Sequence, residues 1–257
     1  MSERLLDVRE VSIAFGGLKA VQNFSLALPA GGLYGLIGPN GAGKTTAFNL
    51  LTGVYCPDHG AVSVNGHRID GRKPSQIAAA GLARTFQNIR LFCELSVLDN
   101  IRLGCQLRRR KGIWATLLRT SGYVAAERQV RQQAERLLEL FNLQSRVNEQ
   151  AKNLPYGDQR RLEIARALAT QPKVLLLDEP AAGMNPQEKI ALMNLIRFIR
   201  ESFSLAILLI EHDMRLVMGV CEHITVLDHG EIIATGTPTE IRTNPKVIEA
   251  YLGEAQN

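Results

Sequence analysis

Apolar and polar positions alternate through the first thirty residues with the period of two that marks strands buried on one face. Leu5–Ile13 is followed by a turn at Gly16-Gly17 and then by Phe24–Leu28. This predicts an antiparallel β layer. Leu33–Ile37 is a short unbroken apolar run, the pattern of a strand buried on both faces, and it leads directly into a glycine-rich stretch. Lys44–Thr52 reads as a helix stopped by Gly53, and Ala61–Val64 as a further strand ended by an Asn65-Gly66 turn. From about Ser96 to Phe141 the pattern is helical, with Leu98, Ile101, Leu137, Leu138 and Phe141 on apolar faces. After Arg160 the patterns alternate. Arg160–Ala169 reads as helix, Val174–Leu177 as strand, and Pro186–Phe203 as a helix with proline at its start. Leu205–Ile210 then reads as strand, Met214–Val220 as helix and Ile224–Leu227 as strand. Such alternation predicts an α/β fold with a parallel sheet covered by helices, into which the middle helical segment is inserted. We expect one domain over 1–257, with a core lobe at about 1–88 and 168–257 and a helical subdomain at about 89–167.

Composition changes this picture little. A chain of 257 residues, 46% hydrophobic and 21% charged, is of ordinary globular make-up. Thirty basic against 25 acidic residues give +5, an excess that suits nucleic acid, an anionic membrane surface or nucleotides without separating them. The four cysteines, Cys56, Cys93, Cys105 and Cys221, form no CxxC pair. The N-terminal MSERLLDVRE is charged and lacks an apolar core, so reduced cytosolic thiols are expected. The longest apolar stretch, Leu205–Ile210, falls far short of the roughly 20 residues that span a bilayer. Any membrane role is therefore borrowed from a partner. The one local charge run, Arg108–Lys111, precedes Ile113, Trp114, Leu117 and Leu118. It reads either as a docking segment for lipid headgroups or a partner helix, or as a solvated helix end over a small apolar cluster.

The candidate chemistry begins at Gly38-Pro39-Asn40-Gly41-Ala42-Gly43-Lys44-Thr45, which fits GxxxxGK[ST] between a predicted strand and helix. Glycines let backbone amides converge on phosphate oxygens, and the helix that follows adds its dipole. Lys44 supplies a point charge to the outer phosphates, and Thr45 a hydroxyl to Mg²⁺. Thr46 completes the set of candidate nucleotide-binding positions. Downstream, Val174–Leu177 ends in Asp178-Glu179. In P-loop NTPases the first acidic residue helps to hold Mg²⁺. Glu179 is then placed to take a proton from the attacking water.

Between these two elements stands Leu154-Pro155-Tyr156-Gly157-Asp158-Gln159-Arg160-Arg161, a glycine-containing turn opening a basic helix. With Gln87, Ala182–Pro186 and His212 it completes an ordered set that resembles the ATP-binding subunits of ABC transporters. The resemblance covers essentially the whole chain. It implies a P-loop NTPase of ABC ATPase type that binds ATP with Mg²⁺. By that resemblance Glu179, His212 and Gln87 are the catalytic set, and Thr45, Gln87 and Asp178 face the metal. Gln87 senses the γ-phosphate and couples to the membrane subunit, His212 contacts the γ-phosphate, and Phe15 stacks on the adenine, a place often held by tyrosine. Tyr156, Gly157, Asp158 and Gln159 act on the ATP of a second subunit. The segment departs from the family's signature in having Pro155 where serine is usual and Tyr156 where glycine is usual, while Gly157 and Gln159 are kept. Asn185 stands where the family usually has aspartate.

Finer features resemble the branched-chain amino acid uptake subfamily: Gly81–Phe92, Leu95–Ile101, Lys111–Leu118, Tyr156–Arg161 and Asn244–Gly253. The partners this implies are integral membrane permease subunits and a second ATPase subunit, paralogue or self, paired head to tail. An extracytoplasmic substrate-binding protein is an indirect partner, and no nucleic acid is expected. The implied place is the cytoplasmic face of the inner (plasma) membrane, as a peripheral subunit. The alternatives are the ATPase of another ABC system, for urea uptake or lipopolysaccharide export, or a soluble ABC-type ATPase acting on DNA or ribosomes. DNA-repair relatives carry long coiled-coil insertions and translation relatives usually two ATPase domains, features this sequence lacks. A metabolic P-loop kinase leaves LPYGDQ and His212 unexplained.

Overall fold

A computed structural model describes residues 4–107 and 121–254. The Arg108–Lys111 run and its neighbours Ile113, Trp114, Leu117 and Leu118 lie outside the described residues. The chain divides into two compact units, Met1–Arg84 with Lys173–Asn257, and Thr85–Pro172.

The first unit contains two sheets. The four-stranded sheet is built from β1 (Arg4–Phe15), β2 (Leu18–Pro29), β4 (His59–Val64) and β5 (His67–Arg68), in the order β2-β1-β4-β5. All of its pairings are antiparallel, as the alternation predicts. Both long strands overrun their predicted ends, because irregularities in the β1–β2 pairing let the ribbon continue to the Gly16-Gly17 turn. The six-stranded sheet is built from β3 (Leu33–Ile37), β6 (Leu82–Arg84), β7 (Val174–Asp178), β8 (Ala206–Ile210), β9 (His223–Asp228) and β10 (Glu231–Gly236). Its order is β10-β9-β3-β8-β7-β6. The pairings among β9, β3, β8, β7 and β6 are parallel, and β10 is added antiparallel to β9. Every residue of β7 and β8 is buried, which is why these strands read as unbroken apolar runs. The helix Lys44–Leu51 inserts Phe48 and Leu51 into a core shared with Val11, Phe24 and Leu28 of one sheet and Leu36 and Leu208 of the other. Pro186–Phe203 and Met214–Val220 are helical over the predicted ranges, each opened by a side-chain cap, Asn185 and Asp213.

In the second unit Val97–Gln106, Ser121–Leu140 and Tyr156–Ala169 are helices. Ser96 caps the first by accepting the Asp99 amide at 3.0 Å. Ile101, Leu137, Leu138 and Phe141 are buried, as their helical spacing predicts, while Leu98 is only half-buried and its neighbour Val97 is buried instead. Tyr156–Ala169 begins four residues before its predicted start, because Gly157 in the first turn masks the helical pattern. The pattern reading also lacks the short strands β6 and β10 and the helices Pro74–Ala80, Pro238–Thr243 and Pro245–Glu254. Among the described residues no helix is long and apolar enough to cross a membrane.

Candidate nucleotide site

The register of the parallel sheet assembles the first unit's site. β3 pairs with β8, with Leu36 opposite Ile210, and β8 pairs with β7, with Ile210 opposite Asp178. The loop after Ile37, the His212 segment after Ile210 and the Asp178-Glu179 pair therefore leave three adjacent strands at one edge. Strands lie about 4.8 Å apart, so the carboxylates stand roughly 10 Å from the loop, on the side where α/β sheets bind ligands.

The loop Gly38–Thr45 is held by close backbone approach. Gly38 has φ 152°, and a Cβ there would lie 2.0 Å from the Leu227 carbonyl oxygen. Gly43 has φ 99°, and its Cβ would meet the Ala20 carbonyl at 2.6 Å. No side chain fits either place, so both must be glycine. The Gly230 amide donates to the Ala42 carbonyl at 3.0 Å, and the Gln22 amide to the Gly230 carbonyl at 2.8 Å. The β9–β10 turn thus fastens the loop to the antiparallel layer. Lys44 is buried, and its Nζ donates to the carbonyls of Gly38 and Pro39, both at 2.6 Å. Thr45 and Thr46 follow in the first turn of the helix. Phe15 ends β1, is 44% exposed, and meets Tyr55 edge to face with ring centroids 5.1 Å apart. Both rings are exposed, at the end of a strand of the layer that supports the loop. Tyr55 is not among the predicted residues; on its own it is one aromatic in a turn.

At the other side of the site Asp178 is buried and pairs with Arg84 at 2.6 Å. Arg84 also donates to the Asn49 and Thr52 side chains at 2.7 and 3.3 Å and lies over the Phe48 ring. The carboxylate is thereby tied to the helix that follows the loop. Glu179 adopts φ 45°, in the left-handed region that non-glycine residues rarely occupy. Its amide donates to the Ile210 carbonyl at 2.9 Å, and its Oε1 lies 2.7 Å from His212 Nε2. His212 is half-exposed while Glu179 is largely covered. Next to them Glu211 is buried and accepts the Ala181 amide at 2.7 Å. Burial raises its carboxyl above the usual carboxylate range, with the Glu179 charge adding to the rise. Glu211 therefore anchors the turn Pro180–Met184 that follows Glu179. Neither Arg84 nor Glu211 is among the predicted residues, since each acts through a partner far away in sequence. Asn185, the departure from aspartate, caps its helix by accepting the Glu188 amide at 3.0 Å, and Glu188 returns a carboxylate to the Asn185 amide at 2.9 Å. Asparagine and aspartate serve such a cap about equally well.

The remaining predicted residues, Gln87 and Tyr156, Gly157, Asp158 and Gln159, belong to the second unit. Pro155 is the N-cap residue of the helix Tyr156–Ala169 and supplies no side-chain bond. Gln159 Nε2 donates back to the Leu154 carbonyl at 2.9 Å, and Asp158 is flanked by Arg146 at 3.3 Å and Arg161 at 3.6 Å. Tyr156 is 43% exposed at the tip of the helix.

The sequence profile described as ABC transporter matches residues 21–182, spanning the loop, the Tyr156 segment and Asp178-Glu179. The chain belongs to the ABC transporter family. A second profile, the branched-chain amino acid ATP-binding cassette transporter, matches residues 231–256. The high-affinity branched-chain amino acid transport ATP-binding protein LivG of Salmonella typhimurium is 49% identical over 255 residues, covering 99% of this chain and all of that protein. The corresponding protein BraF of Pseudomonas aeruginosa is 45% identical over the same length, with 99% of this chain and all of BraF covered. Among solved structures, the ADP conformation of MJ1267, an ATP-binding cassette of an ABC transporter, matches with a TM-score of 0.84 at 30% identity. It covers 98% of this chain and 99% of that one. The predicted fold class, a P-loop ATPase of ABC type with a parallel core and an antiparallel layer, is the fold observed. As a member of this family the chain is an ATPase whose hydrolysis is coupled to transport.

Proposed function

We propose that this chain is the nucleotide-hydrolysing subunit of an importer for branched-chain or related hydrophobic amino acids. In this role it works on the cytoplasmic face of the inner membrane with integral permease subunits and a second ATPase subunit. The observation that carries the reading is the match of residues 231–256 to the branched-chain profile, beside full-length similarity to LivG.

In this reading Phe15 receives the adenine, and Gly38–Thr46 receives the phosphates through backbone amides. Lys44 turns its ammonium from the loop carbonyls to the outer phosphate oxygens. Thr45 and Asp178 offer two hard oxygen ligands, a set that suits Mg²⁺, which takes one or two protein ligands and keeps waters and phosphates for the rest. Bound there, the ion supplies charge neutralisation on the phosphate oxygens. Glu179 accepts a proton from water as the water oxygen attacks the γ-phosphorus. The bond to the β–γ bridging oxygen then breaks, and ADP leaves with the electron pair. His212, 2.7 Å from Glu179, orients that carboxylate and reaches toward the γ-phosphate. Gln87 is the second unit's sensor of the γ-phosphate, and Tyr156–Gln159 faces the ATP of the partner subunit.

The test is Glu179→Gln, which keeps the side chain's shape and removes the proton acceptor. Turnover should fall about 10²–10⁴-fold, and an ATP-bound dimer should accumulate in size-exclusion chromatography. Hydrolysis at the parent rate would refute the base assignment. Proteoliposomes holding the permeases should hydrolyse ATP faster when the binding protein is loaded with leucine. A stimulation by urea alone would move the chain to another importer class.

A further inference from the structure

Among the described residues of the second unit the largest wholly buried side chain is a charged one, Arg160. It sits one turn into the helix Tyr156–Ala169, and its guanidinium points inward at a segment more than seventy residues earlier in the chain. Nη1 donates to the Phe86 carbonyl at 2.6 Å, and Nη2 to the Gln87 carbonyl at 2.8 Å and the Tyr156 hydroxyl at 3.3 Å. Nη1 also pairs with Glu163 Oε2 at 2.8 Å, one turn further along the same helix. The other oxygen of Glu163 accepts the amides of Phe86 at 3.3 Å and Arg90 at 3.2 Å. The two side chains together close a ring over Phe86–Arg90, with donors to two carbonyls and one oxygen shared by two amides. Arg166 extends the ring by donating to the Arg90 carbonyl.

We infer that Arg160 and Glu163 are positioning residues that make Gln87 and the Tyr156–Gln159 turn move as one body, so that the state of the partner's nucleotide is transmitted to the Gln87 segment. The inference rests on the roles proposed above for those two segments. Its physical basis is the nature of the joint. A buried ion pair is a poor source of net stability, since apolar packing does as well in its place, but removing one partner is severe. What an apolar pair cannot supply is a planar fork fixed to main-chain carbonyls. The joint grips backbone through the Phe86 and Gln87 carbonyls, so it fixes the path of the segment that carries Gln87. No part of it belongs to the loop Gly38–Thr46, so binding of nucleotide to the loop of an isolated subunit does not run through it.

The experiment is Arg160→Lys in the transporter assembled with its permeases. Lysine keeps the charge and lacks the fork. ATP affinity of the isolated subunit should hold, while permease-stimulated turnover of the assembled transporter falls about tenfold, a coupling loss of ordinary allosteric size. Hydrogen exchange supplies the second readout. In the parent, ATP should slow exchange over residues 86–90 and 156–160 together; in R160K it should slow the second stretch alone. Should R160K fail to assemble, Glu163→Gln, of the same shape with one acceptor oxygen, is read in the same two ways. A variant that keeps both stimulation and joint protection overturns the inference alone. A parent in which ATP protects neither stretch overturns the role given to Tyr156–Gln159, and the inference with it.

Discussion

Arg84–Asp178 in the first unit and Arg160–Glu163 in the second are both sealed from water, with side-chain exposures of 6% and 6% and of 0% and 2%. They are wired in opposite ways. Arg84 reaches across 94 residues to its carboxylate, and it also donates to the side chains of Asn49 and Thr52. Arg160 takes a carboxylate from its own helix and directs its remaining donors largely at main-chain carbonyls. A web of side chains orients one functional group, here the carboxylate proposed to face the metal. A fork on carbonyls fixes the course of a segment whatever side chains that segment carries. Asp178 is thus set by the side chains around it, and the Phe86–Arg90 segment by the path of its backbone.

The change with the largest expected effect on this contrast is Arg84→Met. It leaves Asp178 buried without that guanidinium and should cost about 3–5 kcal/mol, read as a lower urea midpoint at unchanged slope. Hydrolysis should fall as well, because the carboxylate loses its orientation. Adding Asp178→Leu should recover most of the stability, since a packed apolar pair is often neutral or better than a buried ion pair. It should not recover hydrolysis. A double variant that is both stable and active would show that identity at 178 does not matter, and the contrast would collapse.

Gly104→Ala probes the other side. In the helix Val97–Gln106 a Cβ at Gly104 would lie 2.5 Å from the Arg166 carbonyl oxygen and 2.8 Å from the Ala169 Cβ. The helices must move apart, at a cost of about 1–3 kcal/mol by overpacking. Because this strain falls within the helical unit, ATP affinity of the isolated subunit, measured by fluorescent-nucleotide titration, should not change. An affinity that falls in step with stability would mean that the nucleotide site depends on helix packing in the second unit.

Which parts of the molecule were legible in the sequence follows from the same contrast. The helix Pro186–Phe203 read cleanly because an apolar period over 18 residues follows its first-turn proline, whereas Pro74–Ala80 and Pro238–Thr243 open on the same proline signal and are only seven and six residues long, too short for a period to show. The strand β6 has three residues and no period to detect, and the partly exposed β10 lacks a clean alternation. The phosphate loop announces itself because its chemistry is contiguous. Arg84 does not, since only the sheet order, which places β6 beside β7, brings it to Asp178. The i, i+3 spacing of Arg160 and Glu163 is visible in the sequence, but it looks like any helix-surface pair until the fold buries it.

Asp213→Ala is a smaller perturbation and is dominated by local backbone. Asp213 accepts the Arg215 and Leu216 amides at 3.1 and 3.3 Å and pairs with Lys189 at 2.8 Å. Losing such a cap costs about 1 kcal/mol. The Lys189 hydrogen bond, aided by the two amides, holds the Asp213 carboxyl below the usual carboxylate range. A depressed carboxylate stabilises the fold at pH above its unfolded value, and loses that contribution as pH falls through the folded value. The stability gap between parent and variant should therefore be constant near neutrality and close only in acid, below the ordinary aspartate range. A gap that closes between pH 6 and 8 would assign the titration to another group, as roughly the range of histidine.

The smallest expected effect is that of Asn185→Asp, which restores the residue usual in the family. The carboxylate it introduces would accept the Glu188 amide as the Asn185 side chain does at 3.0 Å, so the cap survives. Its charge gains from the helix N-terminus, by about 0.3–1 kcal/mol at low salt, and is opposed by the Glu188 carboxylate that already bonds the residue 185 amide at 2.9 Å. The net change in unfolding free energy should stay within a few tenths of a kcal/mol. Whatever remains should shrink as salt is raised, because both contributions are surface charge effects. A loss near 1 kcal/mol that persists in salt would mean that the Asn185 amide nitrogen makes a bond the carboxylate cannot replace. The capping account of this departure would then give way to a role for that nitrogen in the site.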